Sequence, residues 1–190
     1  GDAVVEIGPG RGALTWVLVE SCKLKVPKCR IIAIEKDGDL IEQLARNFKF
    51  LISNVKSIPN VQMSKSQNIL IHGDALRVLP EIVHNLQLST SNYKLVGNIP
   101  YYITGKLFRI IGELSRKPEI VVFMLQKEVA ERVTAKAPKM NLLAASVQAW
   151  AETEYLFSVS RKEFKPAPKV DSAVVRLRIT KNDLGITDAY

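Results

Sequence analysis

"AVVEIGPGRGALTWV", residues 3–17, decides the fold. Ala3 to Ile7 is a short, largely β-branched apolar run of the kind that sits in a sheet covered on both faces. Gly8, Gly10 and Gly12 follow at once, where the backbone turns sharply and can approach a ligand, and the next helix opens with unpaired N–H groups. Working outward, "RIIAIE" (30–35), "NILIHG" (68–73), "YKLVG" (93–97) and "EIVVFML" (119–125) repeat the strand pattern. Between them Leu40, Ile41, Leu44, Ala45 and Phe48 recur at helical spacing, as do Leu107, Ile111 and Leu114, and then Met140, Leu143, Ala144 and Val147. Strand alternating with helix predicts an α/β fold on a mostly parallel, doubly wound sheet. "EYLFSV" (154–159) and "SAVVRLRI" (172–179) have only the turn-rich "SRKEFKPAPKVD" between them and predict an antiparallel pair at one edge. "LISNVKSIPNVQMSKSQ" (51–67) reads as a helix end plus a surface loop.

The 190 residues are 47% apolar, enough for one sizeable core. No stretch approaches the ~20 apolar residues of a membrane span, so no membrane partner and a cytoplasmic location are expected. Cys22 and Cys29 stand without partners, which suggests neither a disulfide framework nor a metal centre. Against 19 Asp+Glu stand 27 Lys+Arg, a net charge of +8 that attracts polyanions, nucleic acid first. The chain begins on glycine and enters a core strand at once, as a piece of a longer protein would.

Ligands of such sheets bind beyond the carboxyl ends of the strands. Gly8-x-Gly10-x-x-Ala13 meets the relaxed dinucleotide fingerprint, though alone it describes any tight strand-to-helix turn. Glu35 closes the second strand, where a carboxylate can accept from both ribose hydroxyls. Asp74 in "HGDAL" closes the third, where it can accept from an adenine amine. A helix N-cap is the plain alternative for each; together they outline an adenosine-shaped pocket. NAD and S-adenosylmethionine both fit that outline, and the fourth strand end separates them.

That end is "VGNIPYYIT" (96–104). An adenine N6 amine is a weak nucleophile because its lone pair is delocalised into the ring. Two acceptors aimed at its N–H bonds favour a pyramidal nitrogen, which needs positioning and electrostatics but no strong base. Asn98 supplies a side-chain carbonyl and Ile99 a backbone carbonyl, held outward by the rigid Pro100. Tyr101 is placed to stack on a flipped base. Such a turn suits a methyltransferase acting on an aromatic amine better than a hydride-transfer enzyme. His72 and His84, the two histidines, sit at no convincing strand end for nicotinamide chemistry.

"EIGPG", "IEKD", "GDAL" and "GNIPYYIT", followed by "FMLQKEVAERV" and "FKPAPKVDSAVVRL", resemble the rRNA adenine N6,N6-dimethyltransferases, specifically their bacterial small-subunit branch, the KsgA family. The resemblance spans essentially the whole chain, with its motifs in family order. It implies a Rossmann-like S-adenosylmethionine-dependent methyltransferase domain over 1–180, with 181–190 opening a helical domain or linker. Glu6, Gly8 and Gly10 are implied at the methionine end of the cofactor, Glu35 and Lys36 at the ribose, and Asp74 and Ala75 at the adenine. Asn98, Ile99, Pro100 and Tyr101 are implied at the reacting amine and base, with Asn98 also beside the cofactor. Phe164 is implied as a clamp on the target adenine, its loop stiffened by Pro166 and Pro168. The implied substrate is a pair of neighbouring adenosines near the 3′ end of small-subunit rRNA, met in a pre-ribosomal particle by a monomeric enzyme. Arg161, Lys162, Lys165 and Lys169 are the first candidates for phosphate contacts. The macrolide-resistance branch, which modifies large-subunit rRNA, and a non-catalytic nucleic-acid-binding relative are the alternatives. Met140-Asn141 stand where the family usually has a Tyr-Gly pair.

Overall fold

The computed structural model describes residues 3–25, 29–54, 68–85 and 92–180. The expected start of a further domain at 181–190 and most of the expected loop at 55–67 lie outside those residues. The chain divides into two compact units, Gly1–Asn98 and Ile99–Tyr190.

The first unit is α/β. Its strands β1 (Ala3–Ile7), β2 (Arg30–Glu35), β3 (Leu51–Asn54), β4 (Ile69–His72) and β5 (Tyr93–Asn98) lie in the order β3-β4-β2-β1-β5. Every pairing among them is parallel. Helices α1 (Ala13–Lys25), α2 (Gly38–Phe48) and α3 (Ala75–Asn85) make the connections. Every residue of β1 and β2 is buried, which is why both read as continuous apolar runs. From β1 the chain moves out to β2 and later returns to lay β5 on the other side of β1. The strand order therefore reverses at β1, the point where such sheets open a ligand crevice.

Two expectations are corrected in this unit. Leu51–Asn54, expected as a helix end, is an edge strand paired with β4. Helix α2 stops at Phe48 because Lys49 turns left-handed (φ 55°), and the chain re-emerges extended. Leu51 and Ile52 are exposed and Ser53 is buried, so the strand lacks the apolar signature of its neighbours. Cys22 and Cys29, expected unpaired, form a disulfide with their Cα atoms 5.3 Å apart. Helix α1 runs back along the sheet, so its last turns meet the entry to β2, a proximity that sequence spacing does not reveal.

The second unit holds β6 (Ile120–Gln126), β7 (Ala151–Val159) and β8 (Ser172–Ile179), with β8 central and antiparallel to both others. The expected antiparallel pair is present; β7 starts at Ala151, earlier than expected, and carries a bulge between Tyr155 and Phe157. Helices α4 (Thr104–Glu113), α5 (Lys127–Val133) and α6 (Leu142–Gln148) complete it. Met140 lies outside α6 and is exposed, contrary to the helical spacing. Asn141 explains the boundary: its side chain accepts from the Ala144 N–H at 3.0 Å and donates to the Arg132 carbonyl at 2.9 Å. An N-cap of this kind fixes where a helix starts.

Candidate functional site

In the first unit the register sets Glu6 of β1 beside Ala33 of β2 and Val96 of β5. Two residues further along the neighbouring strands stand Glu35 and Asn98, and side chains two apart on a strand share a face. Glu6, Glu35 and Asn98 are thus on one face at the carboxyl edge, and between the last two the chain offers Gly8, which has no side chain. Gly8 adopts φ +65° while its N–H still bonds the Ile34 carbonyl at 3.0 Å. A Cβ there would stand 3.8 Å from the Asn98 carbonyl oxygen. The result is a notch floored by Glu6, one step back along β1.

Glu35 ties this notch together. Its Oε2 accepts the Gly10 N–H at 3.0 Å, and its Oε1 accepts those of Lys36 at 2.8 Å and Asp37 at 2.9 Å. Each carboxylate oxygen has about two acceptor sites, so Oε1 is filled and Oε2 keeps one. The buried carboxylate has room for one hydroxyl donor rather than the two expected.

Asp74 does two jobs at the end of β4. Its Oδ1 accepts the Leu76 N–H at 3.0 Å, capping the start of α3, and its Oδ2 faces the Lys36 ammonium at 3.2 Å. Burial alone would raise its pKa. The Leu76 N–H, the Lys36 ammonium and the Arg77 charge outweigh that and hold the carboxyl below its usual range. Ala75 is buried behind it.

Glu6 is the anomaly. It is 1% exposed. Its Oε2 accepts from the Thr15 hydroxyl at 2.8 Å, while Oε1 is buried with no hydrogen-bond partner. Burial pushes this carboxyl up from 4.5 to about 7; the Thr15 hydroxyl opposes the shift and the negative Glu35 adds to it. Thr15, the hydrogen-bond partner of Glu6, was not singled out in the sequence, because only the packing of α1 on the sheet brings it over Glu6.

Asn98 is exposed at the end of β5. In the second unit Ile99 is buried and its N–H donates to the Met124 carbonyl at 3.0 Å. The Pro100 carbonyl accepts from the Ile103 N–H at 3.1 Å and from the Thr104 hydroxyl at 3.4 Å. These bonds fix the turn, and Tyr101 leaves it 39% exposed rather than packed into the core. Phe164 is half-buried in the loop between β7 and β8. That loop is closed at its ends by Arg161, whose N–H donates to Asp171 Oδ1 at 3.0 Å and whose guanidinium donates to the Lys169 carbonyl at 3.1 Å. The structure so brings Arg161 and Lys169 together, while Lys162 and Lys165 are exposed at separate points of the loop. A groove of about 430 Å³ runs from Arg161 and Asp171 to Lys127, Glu128 and Glu131.

Among the described residues no three His, Cys, Asp or Glu side chains converge as metal ligands, and no helix is long and apolar enough to cross a membrane.

Comparison with known proteins places the chain in a family and a fold class. A family model described as "Ribosomal RNA adenine dimethylase" matches residues 1–190. A protein named "Ribosomal RNA small subunit methyltransferase A" from Dehalococcoides mccartyi strain CBDB1 is 37% identical over 96% of this chain and 55% of its own length. The protein of that name from Prochlorococcus marinus strain NATL2A is 38% identical over 93% of this chain and 55% of its own. The chain therefore spans little more than half the length of these relatives. Among solved structures, the 23S rRNA methyltransferase ErmE is 25% identical with a TM-score of 0.70, covering 94% of this chain and 62% of that one. A dimethyladenosine transferase from Plasmodium falciparum has a TM-score of 0.71 at 24% identity, over 97% of this chain and 58% of that one. The fold is the Rossmann-like fold of S-adenosylmethionine-dependent methyltransferases.

Proposed function

Because the chain belongs to the ribosomal RNA adenine dimethylase family, we propose that it is the catalytic part of an S-adenosylmethionine-dependent enzyme that dimethylates adenine N6 in small-subunit rRNA. The observation that carries this reading is the set of strand-end acceptors, Glu6, Glu35, Asp74 and Asn98, around a notch that Gly8 leaves open. That donor and acceptor set fits the cofactor. The glycine turn admits a bulky ligand, one open site on Glu35 suits a ribose hydroxyl, and Asp74 with Ala75 suits an adenine. The Glu6 floor suits the positively charged methionine end. When bound, the cofactor supplies a methyl group on positively charged sulfur, an electrophile that needs no metal.

The chain's own residues prepare the nucleophile. The Asn98 side-chain carbonyl and the Ile99 backbone carbonyl accept hydrogen bonds from the N6–H groups and favour a pyramidal amine. Pro100 and the hydrogen bonds behind it keep that turn rigid, so little ordering remains when substrate arrives. Tyr101 and Phe164 stack on the flipped base, and Arg161, Lys162, Lys165 and Lys169 contact phosphates. Identities of 36–38% to small-subunit enzymes, against 25% to the large-subunit enzyme, favour the small-subunit substrate. The finer proposals follow: two neighbouring adenosines near the 3′ end, a pre-ribosomal particle as partner, a monomeric enzyme and a cytoplasmic location, with 1–180 as the catalytic domain.

The test is Asn98→Ala in the full-length protein, assayed on small-subunit particles that lack the modification. Transfer falls by about 10²- to 10³-fold, the usual loss of one preorganised polar contact, while cofactor affinity holds within a few-fold. Methylation at the parental rate by a folded, cofactor-binding variant rules the mechanism out.

A further inference from the structure

We propose that Glu6 is a neutral acid in the cofactor-free protein and gives up its proton when the cationic cofactor binds, which makes the notch selective for positively charged ligands. The inference rests on the cofactor assignment above. Its basis is geometric. A carboxyl group that is 1% exposed, with one oxygen on Thr15 and the other without any partner, is a poor place for an uncompensated negative charge. Around it the Thr15 hydroxyl gives partial relief and Glu35 adds repulsion. Its register neighbours on the two adjoining strands are Ala33 and Val96, both apolar. From α1 the neutral Thr15 hydroxyl donates to it. At the carboxyl edge of the same face stand Asn98, which is neutral, and Glu35, which is negative and is held by three backbone N–H groups. The Lys36 ammonium is paired with Asp74. The elevated ionisation range of Glu6 agrees with this arrangement.

A ligand that carries an ammonium and a sulfonium group into the Gly8 notch changes that balance. The O–H bond of the Glu6 carboxyl breaks heterolytically, the electron pair stays on the carboxylate to face the cation, and the proton leaves to buffer. No oxidant or further reactant is needed. A neutral ligand such as adenosine fills the outer part of the pocket without providing the compensating charge and leaves the proton in place. Glu6 thereby acts as a charge filter, separating the cofactor from the abundant adenosine-containing molecules that share its outer half.

Calorimetric titration of the full-length protein with S-adenosylmethionine, in two buffers of very different ionisation enthalpy, counts the protons released. Near pH 6 about one proton leaves per ligand and affinity tightens about tenfold per pH unit, while above about pH 8 both effects vanish. Glu6→Gln abolishes the proton release and flattens the pH dependence, and adenosine binds the parent with no release. Binding of S-adenosylmethionine with the same heat in both buffers at low pH overturns this inference and leaves the cofactor assignment standing. Equal proton release with adenosine also overturns it. No binding at any pH overturns the cofactor assignment and the inference with it.

Discussion

Replacing Glu35 by alanine is expected to weaken the fold as well as the pocket. The carboxylate takes three backbone N–H groups, from Gly10, Lys36 and Asp37, at 2.8 to 3.0 Å. Hydrogen bonds to a charged partner contribute about 1.5 to 3 kcal/mol each. Lys36 and Asp37 are exposed, so water can take over their amides after the substitution. The Gly10 amide, in the partly buried turn, is harder to satisfy. With the Lys36 and Asp37 amides partly rehydrated, about 3 to 5 kcal/mol of a gross contribution of about 4.5 to 9 is lost, against a usual total stability of about 5 to 15. For a domain of this size that lowers Tm by roughly 6 to 20 °C. Urea unfolding followed by circular dichroism, without ligand, measures it directly. A loss below about 1 kcal/mol refutes the claim that Glu35 holds the glycine turn. The consequence for experiment is practical: lost cofactor binding in Glu35→Ala does not by itself identify a ribose contact, because the cradle goes with it.

Glu6→Gln should stabilise the ligand-free protein at alkaline pH. The folded carboxyl titrates near 7 and the unfolded one near 4.5. Its favourable contribution is therefore complete below about pH 4.5 and is lost as pH rises through 7. At pH 8 the permanently neutral glutamine removes a penalty of up to about 3 kcal/mol, and urea midpoints that shift equally at pH 5 and pH 8 contradict this. Gly12→Ala should lower stability by about 2 to 4 kcal/mol, since φ is +86° and the added Cβ would lie 2.5 Å from Phe48 Cε2 and 3.1 Å from Leu44 Cδ2. Gly10→Ala, where φ is +58° but a Cβ meets nothing within 4 Å, should cost only about 1 to 2 kcal/mol, the left-handed backbone term alone. Equal losses at the two positions in thermal melts would remove the packing argument.

The central parallel strands were legible because burial on both faces leaves mostly apolar residues in them, as in the "IIAI" of β2, and because glycine and carboxylate mark their ends. Strand β3 was not, since an edge strand with Leu51 and Ile52 in solvent has no burial pattern to write into sequence. The Cys22–Cys29 bridge was missed for a different reason: proximity depends on how α1 lies against β2, and two cysteines seven apart carry no such information. Met140 was drawn into a helix by its spacing, where the local chemistry of Asn141 sets the boundary one residue later. The candidate site divides in the same way. Residue types at strand ends were readable, but the division of labour among the carboxylates was not.

That division follows from electrostatics. Glu6, Glu35 and Asp74 are three acids gathered on neighbouring strands, and together they would repel one another if all were bare. Each is relieved by a different device. Glu35 is surrounded by backbone N–H dipoles. Asp74 is more exposed and is offset by the Leu76 N–H and the Lys36 ammonium. Glu6, deepest of the three, has a single hydroxyl and keeps its proton instead. Burial decides the order, because a dipole or a mobile lysine can serve a group near the surface, whereas a carboxyl on the floor can shed charge only by protonation. Before a cation binds, the cradle is thus closer to neutral than its three acids suggest, and its capacity for negative charge appears when a cation arrives to balance it. A cradle with permanent full charge at its floor would bind the same cation more tightly at low pH but would be less stable without it.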